Sequence, residues 1–118
     1  MVGETYIELP KEEYLHITDG VHSITVCTMR QKVLHMIGLN SGKTKHRLYT
    51  RHGKKYYKPF RNYFAGLDPD LDMLVKAGYV EYRETLSHGQ PYRYYWLTRE
   101  GLDWLGEQLG IIIKDEDD

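Results

Sequence analysis

The sequence predicts a small α+β domain, mainly α, with elements in the order helix, short element, helix, two-stranded hairpin, helix. Three observations predict it. Val26, Met29, Val33 and Ile37, joined by Leu34, fall on one face at helical spacing. Asp68-Pro69-Asp70 is a helix start, with Asp68 as N-cap and Pro69 at the first helical position. Residues 79–83 and 92–97 are strand-like runs around the turn Ser87-His88-Gly89-Gln90-Pro91, and Thr98 then caps a third helical pattern.

Each element has its own local reason. Tyr6-Ile7-Glu8-Leu9 alternates briefly, as a strand does. Asp19-Gly20 is a turn signal that admits a hairpin from about residue 14 to 26. The helical spacing ranks above it and predicts a helix over 24–37, with Ser23 as N-cap and Gly38 and Asn40 as stops. In residues 41–66, His52-Gly53 turns a short hairpin with Leu48-Tyr49 and Tyr56-Tyr57 on its arms. Pro59 then starts a short helix ending near Gly66. The helix after Asp68 has Leu67, Leu71, Leu74 and Val75 as its apolar face. Asp70 and Asp72 lie at its positive end, Lys76 in its last turn, and Gly78 beyond it. Tyr92, Tyr94 and Trp96 share one strand face. The last helix, 99–109, buries Leu102, Leu105 and Leu109, with Trp104 covering the sheet, and ends at Gly110.

A chain of 118 residues suits one domain. Residues 1–20 read as an N-terminal extension, 21–113 as the domain and 114–118 as an acidic tail. No run approaches the ~18 apolar residues of a membrane span. The first residues lack the basic and apolar regions of a signal peptide. Cys27 is the single cysteine, so a disulfide framework is excluded and a reducing cytoplasm is the expected setting.

Net charge is −1, but its distribution is uneven. Residues 20–67 hold ten Lys or Arg and no Asp or Glu, whereas the rest of the chain holds six basic and seventeen acidic residues. A basic centre between acidic ends points to a polyanionic partner.

The wording around the third element adds a family resemblance. Leu71-x-x-Leu74-Val75-x-x-Gly78-Tyr79-Val80-Glu81 is followed, after a gap, by Tyr94-Tyr95-Trp96-Leu97-Thr98-x-Glu100-Gly101. This resembles winged helix-turn-helix domains, particularly the multiple-antibiotic-resistance and phenolic-acid-decarboxylase regulator types, over residues 67–105. It also has the flavour of small helical phage proteins. The resemblance implies a winged helix-turn-helix fold with a two-stranded wing and a basic insertion, and a sequence-reading helix over 67–77. The chain departs from the pattern there. Asp68, Asp70 and Asp72 occupy the turn that would enter the major groove, and Lys76 is its only cation.

The basic segment is the stronger candidate for contact with nucleic acid. Lys43, Lys45, Arg47, Arg51, Lys54, Lys55, Lys58 and Arg61 are interleaved with Tyr49, Tyr56, Tyr57, Phe60 and Tyr63. Cations neutralise phosphates, and aromatic rings stack on bases or sugars. Arg83, His88 and Arg93 on the expected wing complete the set.

Catalytic chemistry is not legible. Six histidines show no i,i+4 pair around a carboxylate. Ser41-Gly42-Lys43-Thr44 lacks the upstream glycine of a phosphate loop. Cys27, on the expected first helix, reads as core. No metal site, cofactor or enzymatic activity is expected.

The leading expectation is a cytoplasmic, homodimeric regulator of transcription that binds double-stranded DNA, with residues 1–19 and 111–113 as dimer contact. The rival is a protein-interaction module docking on a nucleic-acid enzyme or regulator. The first requires the basic residues to share one face with the wing. The second requires an exposed apolar patch of several hundred Å².

Overall fold

Residues 14–27 form a hairpin, not the opening turns of a helix. The computed structural model describes residues 7–39 and 47–114. Strand β1 (Tyr14–Thr18) pairs antiparallel with β2 (Ser23–Cys27). The Asp19 carboxylate makes the turn, accepting from the amides of Val21 at 2.8 Å and His22 at 2.7 Å. Those hydrogen bonds hold its pKa below the ordinary aspartate value. Ile24-Thr25-Val26 is β-branched and favours the strand. Helix α1 (Met29–Met36) therefore starts later than predicted, and Thr28 rather than Ser23 caps it, accepting from the Gln31 amide. Val33, Leu34, Met36 and Ile37 are buried, as the helical spacing requires. Residues 7–9, read as strand-like, are not a strand.

The hairpin expected around His52-Gly53 is present. β3 (Leu48–Arg51) pairs with β4 (Lys54–Tyr57). Both turn residues have positive φ, 53° and 78°, as a type I′ turn requires. A third strand, β8 (Ile112–Ile113), adds parallel to β4. Tyr57 anchors this sheet: it is fully buried and its hydroxyl donates to the Ile37 carbonyl at 2.5 Å.

The helix predicted from Pro59 does not form. The segment after Pro59 spends its polar groups elsewhere. The Tyr63 amide donates to the Met36 carbonyl at 3.1 Å. The Asn62 side chain clasps the Leu97 backbone, donating to its carbonyl at 3.0 Å and accepting from its amide at 2.9 Å. Phe64–Gly66 then becomes strand β5.

Helix α2 (Pro69–Lys76) forms as predicted, with Asp68 accepting from the amides of Asp70 and Leu71. β6 (Val80–Ser87) and β7 (Gln90–Leu97) follow as a long hairpin turned at His88-Gly89, and α3 (Arg99–Leu109) after it. This hairpin is not a free two-stranded wing: β5 pairs with β7, giving the order β5-β7-β6.

The motif Leu97-Thr98-x-x-Gly101 has a packing reason. Thr98 accepts from the Gly101 amide at 3.0 Å and donates to the Gly78 carbonyl at 2.9 Å. A Cβ at Gly101 would collide with the Tyr79 carbonyl oxygen. Trp104 stacks on Tyr79 with ring centroids 4.6 Å apart, and its indole N–H donates to the Ile7 carbonyl at 2.8 Å. The core joins Val33, Met36 and Ile37 of the α1 end to Tyr57, Leu71, Leu74, Tyr95, Leu102, Leu105 and Ile113.

The fold is therefore mainly β, not mainly α: eight strands in three sheets and three helices among the described residues. α1 and α2 are not joined by a turn either, since β3, β4 and β5 lie between them. The helix-turn-helix expectation is corrected accordingly.

Gly101→Ala is predicted to destabilise the chain by about 3 kcal/mol, because a backbone carbonyl cannot move aside as a flexible side chain can. Urea denaturation of the variant against wild type measures it. An unchanged midpoint would contradict this packing account.

Candidate nucleic-acid interface

Strand alternation sorts the basic hairpin into two faces. Leu48, Thr50, Lys55 and Tyr57 share the face that carries the buried Tyr57. Tyr49, Arg51, Lys54 and Tyr56 share the opposite, outward face, as the pairs Tyr49–Tyr56 and Arg51–Lys54 require. The Tyr49 and Tyr56 rings stack, with centroids 5.3 Å apart and planes 10° from parallel. Just beyond β8, Lys114 lays its ammonium over the Tyr56 ring at 5.6 Å. Tyr49, Arg51, His52, Tyr56 and Lys114 line a shallow cavity of about 220 Å³, and no carboxylate among the described residues lines it. Lys54 and Lys55 border a second open groove of about 570 Å³, where Glu107 of α3 faces them.

The other expected residues are placed differently. Arg47 and Arg61 both lie over the Phe60 ring, at 5.9 and 5.4 Å. Arg61 also donates through Nε to the His35 carbonyl at 3.0 Å, so it braces the end of α1. Burial and then the Arg61 charge hold the His35 imidazole below its ordinary pKa. Lys58 is half-buried, and its amide extends the ladder to the Arg47 carbonyl. Lys43 and Lys45 lie outside the described residues, as do Asn40, Ser41-Gly42-Lys43-Thr44, His46 and the tail beyond Lys114.

Arg83 and His88 are exposed on the β6–β7 hairpin, which belongs to a different sheet from the basic hairpin. Arg93 sits on the face of that hairpin turned toward α2. Its guanidinium donates to Asp72 at 2.7 Å and to Glu84 at 3.0 Å, and lies 4.2 Å above the Tyr82 ring. Arg93 is thus committed to protein groups. Lys76 is exposed in the last turn of α2.

The acidic turn of α2 is held by a residue that sequence reasoning missed. Lys32 of α1 reaches both Asp68 and Asp70, at 2.9 Å each. Burial disfavours its ammonium, but the hydrogen bonds and charges of the two aspartates outweigh this and raise its pKa. Asp72 accepts from Arg93 and from the Tyr95 hydroxyl, both at 2.7 Å. That hydroxyl in turn accepts from the Asp68 amide at 3.3 Å. Burial and the hydrogen bond to Asp72 raise the Tyr95 pKa. All three carboxylates are therefore satisfied within the chain. No sequence signal could have paired Lys32 with a turn 36 residues later. Lys114 was likewise hidden, because only the parallel pairing of β8 with β4 brings it to Tyr56.

Cys27 is corrected as well: it is exposed at the end of β2, not in the core. Ile113 is buried against its own chain, so it offers no dimer contact. Among the described residues, no cluster of three His, Cys, Asp or Glu is arranged to hold a metal ion, and no helix is long and apolar enough to cross a membrane. Comparison with known proteins returns no matching family model, no similar curated protein and no similar solved structure.

Lys32→Met is predicted to cost about 2 kcal/mol, since it leaves Asp68 and Asp70 facing each other beside the core with no cation. The linkage has a definite sign. A raised lysine pKa contributes stability that is fully present below the ordinary value of 10.5 and is lost as pH rises through the higher folded value. The difference between wild type and variant should hold steady from neutral pH to about 9 and shrink above about 10.5. Denaturation curves across that range check it; a difference that vanished by pH 8 would contradict the assignment.

Proposed function

We propose that the chain is a DNA-binding protein, not an enzyme, and that it contacts DNA with the outward face of the β3–β4–β8 sheet. One observation carries the reading: the strand register sets Arg51 and Lys54 on the same face as the stacked pair Tyr49–Tyr56, with Lys114 beside it. Cations at this spacing neutralise backbone phosphates and release counterions. The tyrosines offer apolar rings with polar tips, suited to sugars and bases. Lys43 and Lys45, just before β3 in sequence, extend the same basic run.

Double-stranded DNA is the ligand we assign first, because phosphate contact needs no unpaired base. Arg83 and His88 lie in another sheet, so they are secondary contacts at most. We assign no base reading to the first turn of α2, whose carboxylates are bound to Lys32, Arg93 and Tyr95. Lys76 stays available at the other end of that helix. A regulatory role in the cytoplasm fits a small DNA-binding protein with one cysteine.

Fluorescence anisotropy with mixed-sequence duplex DNA tests this. Three phosphate contacts, by Arg51, Lys54 and Lys114, predict a log–log salt slope of about −2.7 and a fall of about fortyfold between ~50 and ~200 mM salt. The double variant Arg51→Ala/Lys54→Ala should bring the slope to about −1. No binding at low salt, or a slope unchanged by the double variant, would sink the proposal.

A further inference from the structure

The β1–β2 hairpin stands apart from the rest of the molecule. All ten of its strand residues are exposed. Among the described residues, none of them contributes to the hydrophobic core or packs against it as a partly buried neighbour. Its root is held by Thr28, whose hydroxyl donates to the Glu12 carbonyl at 2.6 Å and whose amide donates to the Glu13 carbonyl at 3.0 Å. An isolated two-stranded hairpin is at best marginally stable in water.

Its two faces differ in kind. The register sets Leu15 opposite Val26 and Ile17 opposite Ile24, so one face is wholly aliphatic. These four side chains are 47%, 39%, 52% and 59% exposed, and Val21 in the turn is 83% exposed. The other face carries Tyr14, His16, Thr18, Ser23, Thr25 and Cys27, with His16 Nδ1 and Thr25 Oγ1 at 3.0 Å. Neither strand contains a Lys, Arg, Asp or Glu.

We infer that the aliphatic face of β1–β2 is a homodimer interface, and that a second copy of this chain covers it. Two features select that occupant. First, the strands carry no charge for a charged partner to read, and an apolar face packs on its own copy about a twofold axis without any charge to match. Second, the area fits. The four face residues and Val21 in the turn together expose about 500 Å² per copy, so pairing removes at most about 1,000 Å² from water, the lower limit for a specific interface. Face-to-face packing makes a two-layer sandwich of four strands and supplies the second layer that the lone hairpin lacks. An interface this small belongs with reversible associations rather than obligate ones.

Sedimentation velocity on the full chain, from low to high micromolar, tests this. Wild type should shift from monomer to dimer. Ile24→Lys should stay monomeric throughout, whereas His16→Lys, on the opposite face, should dimerise as wild type does. The hairpin adds nothing to the core, so both variants should keep the wild-type circular dichroism spectrum. Hydrogen exchange on wild type gives a second reading that needs no variant: protection of amides 14–27 should rise with protein concentration. A wild type monomeric throughout, an Ile24→Lys variant that dimerises unimpaired, or protection independent of concentration would each overturn the inference.

Discussion

Lys32 joins α1 to the first turn of α2 through Asp68 and Asp70, and Tyr95 and Arg93 join β7 to the same turn through Asp72. Much of the remaining arrangement follows from this clamp. A helix start bearing three carboxylates is unfavourable next to a core unless each finds a partner. Asp68 is nearly buried because one oxygen caps the helix while the other meets Lys32. With these partners in place, Leu71 and Leu74 are fully buried on the same helix, and the chain leaves α2 at Gly78 toward β6. A polar network here sets the angle of approach that apolar packing alone would leave loosely specified.

The clamp also decides where a polyanion can approach. Lys32 and Arg93 offset two of the three carboxylates in the first turn of α2, so that turn keeps a net negative charge. The basic run after α1 is folded into a hairpin that Tyr57 and Ile113 pin to the core from its inner face. Alternation along the strands then turns Tyr49, Arg51, Lys54 and Tyr56 outward. A modest sequence pattern, aromatic and basic residues interleaved around His52-Gly53, becomes an ordered face only because β8 closes the sheet from the far end of the chain.

The sequence was legible where chemistry is local. Asp68-Pro69, Thr98, Gly78 and Gly110 mark the helix ends, and His52-Gly53 and His88-Gly89 mark the turns, because caps and positive φ angles depend on few neighbours. It was misleading where two periodicities overlap. Val26, Met29 and Val33 fit a helical face, yet Ile24-Thr25-Val26 belongs to a strand whose partner is set by Asp19-Gly20. The predicted fold class fails partly for this reason and partly because β5 and β8 are strands through long-range pairing with β7 and β4, which composition and spacing do not encode. The acids of α2 were read as helix-start chemistry. That holds for Asp68, but the roles of Asp70 and Asp72 depend on Lys32, Arg93 and Tyr95, all distant in sequence.

The central claim is that α2 is a structural element with its carboxylates satisfied within the chain, and that the β3–β4–β8 sheet is the face that meets DNA. Amide chemical-shift mapping with a short DNA duplex, titrated into the ¹⁵N-labelled chain at low salt, tests it most directly. The account predicts shifts concentrated in residues 49–57 and 112–114, with residues 69–75 nearly unmoved. Shifts concentrated in the first turn of α2, with the sheet unmoved, would contradict it.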